Sequence, residues 1–323
     1  MSELNLFWPV YKNLEKEVLK IADYIHFSDD QTKVYSMHIA DLIVRCTIEI
    51  EAISKELYLR LKGNENTIKD DVSKKDLYFD TDCIDLLVKE WNIDKKKVIV
   101  SAPTFYFECD CNRILTPLKK ANKSGDKASR WKKAYQALKH SRKDSLSMAT
   151  IENLINAMGA LYILNLYYKD ECIEVSEYSK FDMSLGSDIF SIFIYKLLNI
   201  NESPYMDDTS AWATKGSDLN ESAYIIKYTD ESFKRMHENF CKDYKITLKN
   251  YNASIEIQNF LKKNPDYNVE TIRKACIDIG GIDLYNKIVS NKYWNTGGQY
   301  KVEAIPNKHT NIYPTLTISE EID

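Results

Sequence analysis

The sequence predicts a mainly α protein, in which a helical bundle with a small β-hairpin insertion is followed by a smaller α+β C-terminal region. Only 9 Gly and 7 Pro occur in 323 residues, and these two residue types most often interrupt helices. Several long segments also repeat apolar residues at helical spacing. A composition of 44% hydrophobic and 28% charged residues excludes a disordered or collagen-like chain.

The first two helices are predicted near the N-terminus. Apolar residues recur at helical spacing from Trp8 to Phe27, and Pro9 suits a first turn. Ser28-Asp29-Asp30 is expected to cap a longer second helix, which Gly63-Asn64 ends. An apolar seam of this length requires a partner helix.

A short helix and a hairpin are expected next. Thr81 to Trp91 has helical spacing, and the runs Val98–Val100 and Phe105–Phe107 flank Ala102-Pro103. These two runs predict two short strands or a hairpin.

Two further helices complete the predicted first domain, residues 1–172. The first covers Ala128 to Lys139, after a basic loop. The second covers Ile151 to Tyr168, whose apolar residues occupy nearly the whole circumference, so we expect it in the middle of the bundle.

Residues 173–323 are predicted to form the smaller α+β region. A strand is expected at Tyr224-Ile225-Ile226, and the tail from Trp294 to Thr317 alternates weakly, as a terminal strand would. A polar connection is expected from Asn199 to Asn220. Helical spacing returns in three segments: Phe233 to Tyr244, Ile255 to Lys262 and Val269 to Ile279, the last ending before Gly280-Gly281.

Charge and targeting signals restrict the environment and the partners. The chain has 44 Lys+Arg against 48 Asp+Glu, so any nucleic-acid contact must come from a local cationic patch. No signal-peptide pattern or apolar stretch of about 18 residues is present, which predicts a cytoplasmic protein without a membrane partner.

Metal and cofactor motifs are missing from the sequence. The seven Cys lack paired CxxC spacing, and the one close pair, Cys109-Asp110-Cys111, is more typical of idle thiols than of a metal or redox site. No phosphate loop, GxGxxG, HExxH or GxSxG pattern occurs. We therefore predict no cofactor and no metal site.

A charged column on the second helix is the first candidate site. Arg45 and Glu49 lie beside the apolar seam, four residues apart. They are compatible with an intrahelical ion pair on a solvated face. They are also compatible with contacts to another helix, where desolvation strengthens each charge, but the intrahelical pair is the favoured interpretation.

A basic helix end is the second candidate site. Lys139, His140 and Arg142 would suit a phosphate ligand, and a histidine serves as acid or base near neutral pH. The same groups could instead cap helix carbonyls or satisfy Glu49. The side chains predicted to line the site from the same helix are Trp131, Tyr135 and Gln136.

These segments resemble a known family. The run Leu115-Thr-Pro-Leu118, the segment Trp131 to Arg142 and the segment Ala149 to Leu161 resemble HEPN-like (higher eukaryote and prokaryote nucleotide-binding) bacterial proteins of the defence and abortive-infection type. The stretch Arg45 to Lys55 resembles their partner helix. The resemblance covers roughly residues 8–168, and it implies a helical bundle that forms homodimers.

The resemblance also implies an activity on RNA. Relatives include metal-independent endoribonucleases, in which the ribose 2′-hydroxyl attacks the adjacent phosphate and leaves a cyclic phosphate. His140 would exchange the proton, Arg142 and Lys139 would stabilise the charge, and Glu49 with Arg45 would orient them.

The spacing of these residues leaves two functions open. In the nucleases an Arg precedes the His at short spacing, whereas here nine residues separate Arg130 from His140 and Arg142 follows it; Gln136 replaces an expected Asn. One expectation is an RNA-directed protein of bacterial stress or antiviral defence that cleaves RNA. The other is a non-catalytic sensor or scaffold that binds a nucleotide, a nucleic acid or a protein partner.

Overall fold

The computed structural model describes residues 5–62, 77–175, 181–197, 218–294 and 300–309. The chain forms two compact units. Among the described residues, the larger unit contains everything up to Lys227 and from Glu303 onward, and the smaller unit contains Tyr228–Val302. The predicted division near residue 172 falls inside the larger unit.

The larger unit is mainly helical and carries small sheets. Its helices are α1 (Phe7–Ala22), α2 (Met37–Lys62), α3 (Asp85–Trp91), α4 (Asp110–Arg113), α5 (Arg130–His140), α6 (Arg142–Ser145) and α7 (Ile151–Lys169). Its first strands are β1 (Phe27–Ser28), β2 (Val98–Val100), β3 (Phe105–Tyr106), β4 (Ile114–Leu115) and β5 (Ile173–Val175). The remaining strands are β6 (Phe190–Ile192), β7 (Ile194–Leu197), β8 (Tyr224–Tyr228) and β9 (Val302–Pro306).

Helix α7 is the centre of the larger unit. It packs against α1, α2 and α5, and nearly all of its side chains are buried. The Thr150 hydroxyl caps its first turn by accepting from Asn153 N. The prediction of a central buried helix is thus confirmed, because a helix that is apolar on all sides must be enclosed by others.

The predicted hairpin is wrong, although both of its strands exist. Strand β2 pairs antiparallel with β4 and with β6, whereas β3 pairs in parallel with β1. The aromatic rings of Phe27 and Phe105 pack 4.6 Å apart, and Phe27 is fully buried. The contact between these two rings favours pairing of β3 with β1 rather than with its neighbour in sequence.

The first two helices are shorter than predicted. Helix α1 ends at Ala22, because Phe27 enters β1. The predicted cap at Ser28-Asp29-Asp30 leads into a 3₁₀ turn, and Ser36 Oγ caps α2 by accepting from Ile39 N at 3.1 Å. The Asp29 carboxylate instead accepts from the backbone N–H groups of residues 108 and 109, just before α4. Cys109 and Cys111 form a disulfide there.

A four-stranded sheet closes the larger unit. Its strand order is β5-β9-β8-β7, and β7 runs parallel to β8. The predicted strand at Tyr224–Ile226 is confirmed as β8, and the predicted terminal strand is observed as β9. Most of the predicted polar connection, residues 199–217, and the tail beyond residue 309 lie outside the described residues.

In its described residues, the smaller unit has three helices: α8 (Asp230–Ala253), α9 (Ile255–Lys263) and α10 (Ile272–Ile288). Its core includes Tyr251, Ile257, Cys276 and Leu284. Helix α10 has a kink at Gly280-Gly281, where the predicted break occurs.

Candidate anion-binding site

The predicted basic helix end forms the exposed end of α5. Lys139 and His140 are exposed, and the Lys139 ammonium lies 5.7 Å from the centroid of the Tyr135 ring. Arg142 reaches α2, where it donates to Asp41 at 2.7 Å. Its partner on α2 is therefore Asp41, one helical turn before Arg45, rather than Glu49.

The charged column of α2 makes a different contact. Arg45 Nη1 donates to both carboxylate oxygens of Glu17 on α1, at 2.9 Å each. Arg45 therefore pairs with a residue of another helix and not with Glu49 of its own helix. Glu49 is half-buried, and burial raises its pKa while the nearby Arg45 charge opposes the rise.

The predicted aromatic contacts belong to the core. Trp131 is 1% exposed and donates its indole N–H to the Pro117 carbonyl at 2.8 Å. Tyr135 is also buried, and burial together with Glu51 raises its pKa to about 12. These rings pack inside the bundle and do not face a ligand, because the apolar stripe of an amphipathic helix faces its partner helices. Gln136 is half-buried beside them.

The structure therefore brings together only part of the predicted site. Within the described residues, no hydrogen bond or ion pair joins Lys139 or His140 to Arg45 or Glu49. Helices α2 and α5 pack against each other, and Arg142 reaches α2 through its ion pair with Asp41, in which both side chains are partly exposed.

A second cluster of cations lies at the other end of α5. A cavity of about 380 Å³ opens between this end and the start of α7. Its charged lining residues are Lys33, Arg130, Lys133 and Glu152. Sequence reasoning missed this cluster, although the i,i+3 spacing of Arg130 and Lys133 indicated that both lie on one face.

Glu152 collects two of the three cations. It accepts from Arg130 at 2.7 Å and from Lys33. Burial alone would raise the pKa of this carboxyl, but the hydrogen bonds from Lys33 and Arg130 lower it overall. Lys133 has no carboxylate partner among the described residues. Three cationic side chains thus face a single carboxylate, and the cavity carries excess positive charge.

Side chains, rather than the helix N-terminus, would hold an anion here. The first N–H groups of α7 already donate to the chain itself: Ile151 N to Val34 O, Glu152 N to Thr32 O and Asn153 N to Thr150 Oγ1. The helix dipole still favours negative charge at this end. The Asn153 amide, which donates to the Met148 carbonyl at 2.9 Å, fixes the loop that forms the cavity floor.

The cation cluster and His140 share one flank of α5. At 100° per residue, Arg130, Lys133 and His140 fall within an arc of about 80°, beside the buried stripe. Lys139 lies outside this arc, about 100° from His140 around the helix. The exposed flank is therefore basic at both ends, and we call the surface formed by Arg130, Lys133 and His140 the α5 flank.

No family model, curated protein or solved structure matches the chain. None of the helices in the described part is long and apolar enough to span a lipid bilayer. In the same residues, no three His, Cys, Asp or Glu side chains are grouped so that they could hold a metal ion.

Proposed function

We propose that the chain is an RNA-directed protein of bacterial stress or antiviral defence that binds the RNA phosphate backbone along the α5 flank. The main support for this proposal is the cavity in which Lys33, Arg130 and Lys133 face the single carboxylate of Glu152. Phosphate groups are the natural partners of such an unbalanced cation cluster.

The ion pairs of this cavity can exchange their partners at low cost. The side chains of Lys33 and Arg130 are 69% and 74% exposed, so their pairs with Glu152 are screened by water. A phosphate that replaces Glu152 therefore regains most of the interaction. Lys133 is available without losing any ion pair within the described residues.

The spacing of Lys133 and His140 on the α5 flank suits a base-stacked strand. His140 lies seven positions after Lys133, which corresponds to about 10 Å along a helix. At a rise of roughly 3.4 Å per nucleotide, this is the span of about three nucleotides. The resemblance of residues 8–168 to HEPN-like proteins supports RNA as the polyanion.

Fluorescence anisotropy with a labelled single-stranded RNA tests this proposal. We expect the double variant Arg130→Gln/Lys133→Gln to bind at least tenfold more weakly than the unchanged protein, because two phosphate contacts are lost. The matched control Lys16→Gln removes an exposed lysine of α1 that does not line the cavity. Absence of RNA binding, or equal losses in the control and the double variant, would contradict the proposal.

RNA cleavage without a metal is the second candidate function, and the exposed imidazole of His140 favours it. In this reaction His140 would exchange the proton of the 2′-hydroxyl or of the leaving oxygen, while Arg142 would stabilise the charged phosphate. We expect cleavage to persist in the presence of a chelator, to yield a cyclic phosphate, and to be lost in His140→Ala.

The same assay separates the enzyme from the non-catalytic sensor or scaffold. RNA binding without cleavage would indicate the non-catalytic sensor or scaffold. Cleavage that survives His140→Ala would show that His140 is not catalytic. The anisotropy measurement tests the binding role of Arg130 and Lys133 independently of this result.

A further inference from the structure

The smaller unit contains a cleft of its own, with a volume of about 430 Å³. It lies between α8, the start of α10 and the segment that follows α10. Its volume falls in the range of pockets that hold small ligands. The proposed RNA site on α5 makes no use of it.

Aromatic rings form the walls of this cleft. Phe240, Tyr244 and Trp294 all line it, and they are 41%, 45% and 39% exposed. The rings of Phe240 and Tyr244 are nearly parallel, with centroids 6.1 Å apart and planes inclined by 20°. Exposing three aromatic rings around a single cleft to water is unfavourable in free energy. Such a grouping indicates contact with a ligand.

The wall that carries Trp294 is held in place by α8. The buried Asp243 carboxylate accepts from Trp294 N at 2.8 Å and from Ser290 Oγ at 2.7 Å. Thr247 Oγ1 accepts from Ser290 N at 2.9 Å. Burial would raise the pKa of Asp243, but these hydrogen bonds lower it overall. Asp243 is therefore a positioning residue, and the cleft is formed before any ligand arrives.

Arg273 is the cation that lines the cleft. Glu270 pairs with Lys274 at 2.8 Å, and the Asp243 carboxylate is saturated by donors of its own chain. The Arg273 guanidinium lies 5.8 Å from the centroid of the Tyr285 ring and pairs with no carboxylate among the described residues. A guanidinium beside aromatic walls suits a flat ring that carries an anionic group.

We propose that this cleft binds a nucleotide. The heteroaromatic base packs against the rings of Phe240, Tyr244 and Trp294, and the phosphate pairs with Arg273. Thr271 and Asn291 line the same cleft and offer hydrogen-bonding groups for the sugar or the base. The nucleotide is either free or part of an RNA strand, and both sources share this chemistry.

Calorimetric titration of the full chain with AMP, adenosine and ribose 5-phosphate tests the site. We expect AMP to bind more tightly than either fragment, because only AMP carries both the ring and the phosphate. Arg273→Gln should weaken AMP at least fivefold and leave adenosine within twofold. Phe240→Ala should weaken both AMP and adenosine by about fivefold to a hundredfold, the range of base–aromatic stacking.

Controls separate this site from the α5 flank. Lys287→Gln changes an exposed lysine of α10 outside the cleft, and Arg130→Gln/Lys133→Gln changes only the larger unit. Both should leave AMP binding unchanged. A trinucleotide that binds more tightly than AMP and is weakened by Arg273→Gln identifies RNA as the source, whereas preference for AMP identifies a free nucleotide.

Three results would overturn the proposal. The first is the absence of binding by AMP, GMP, CMP and UMP at concentrations up to about 5 mM. A dissociation constant above this value would be too weak to indicate a specific site. The second is ribose 5-phosphate binding as tightly as AMP. The third is Arg273→Gln leaving AMP affinity unchanged, with circular dichroism showing that the variant is folded.

Discussion

Lys96 places its amino group in the interior of the larger unit, where the side chain is fully buried. Its Nζ lies 3.0 Å from Nε2 of His309. Burial, together with the charge of Lys95, lowers the pKa of Lys96 to about 7 against the favourable charges of Asp218 and Asp94. Burial and the same lysines lower the pKa of His309 to about 4. Lys96 and His309 can therefore share a hydrogen bond in which both groups are neutral or only one is charged.

The lowered pKa of Lys96 predicts a pH-dependent stability. Between about pH 7 and its ordinary pKa of 10.5, the unfolded chain binds a proton that the folded chain releases. The free energy of unfolding should therefore rise with pH in this window, by up to about 1.4 kcal/mol per pH unit. Lys96→Met should lack this rise, as urea unfolding at pH 7, 8 and 9 would show.

The adjacent Lys95 supplies the control for this measurement, because its side chain is exposed. Lys95→Met should retain the rise of the unchanged protein. Equal pH dependence in Lys96→Met and the unchanged protein would show that the buried amine does not carry the effect.

Among the elements, α10 depends most visibly on glycine. Gly281 has φ 71° and ψ −168°, a backbone conformation that other residues rarely adopt. At Gly280, an added Cβ would meet Leu284 side-chain atoms at 2.8 and 2.9 Å. The kink allows the second half of α10 to bring Leu284 into the core of the smaller unit.

Gly281→Ala should lower the free energy of unfolding of the smaller unit by about 1–3 kcal/mol, the cost of a strained backbone position. Nothing lies within 4 Å of its added Cβ, so steric contact does not contribute. Gly125→Ala is the matched control, since its site is equally open but has φ 59°. A left-handed helical residue costs roughly 1–2 kcal/mol. We expect Gly281→Ala to lose at least as much free energy of unfolding as Gly125→Ala. Chemical denaturation of both variants measures these losses, and a greater loss in Gly125→Ala would contradict the prediction.

For the whole molecule, charge limits how RNA can be bound. The net charge of −4 repels a polyanion at long range, so the proposed RNA binding would depend on the local cations of the α5 flank. A homodimer would place two such surfaces in one particle, and it remains a prediction.

The salt dependence of RNA binding measures how many cations take part. For single strands, each neutralised phosphate contributes about 0.7 to the slope of log affinity against log salt concentration. The double variant Arg130→Gln/Lys133→Gln should therefore reduce that slope by about 1.4. Anisotropy titrations at several salt concentrations would give both slopes, and identical slopes would mean that these side chains do not contact phosphate.

The predictability of the fold differed between helices and sheets. Helical periodicity located α5 and α7 to within a few residues, because a buried stripe repeats locally along the sequence. The two-residue strands β1 and β3 pair across more than seventy positions, and strands this short carry no pattern that identifies a partner. The hairpin expected from adjacent runs was therefore wrong.

The predictability of the candidate site was limited by the same locality. Trp131 and Tyr135 form a stripe that the sequence shows clearly, but a stripe alone does not distinguish a core from a ligand-binding face. Lys33 and Arg130 converge on Glu152 from distant parts of the chain, so no spacing could indicate their cluster.

The sequence by itself determined the mainly helical class and the central position of α7, because these follow from composition and from repeats within single segments. Only the tertiary structure decided that Arg142 meets Asp41, that Arg45 meets Glu17, and that the aromatic cleft lies beside Arg273. Contacts between segments depend on how the helices pack, and packing is a property of all their surfaces together.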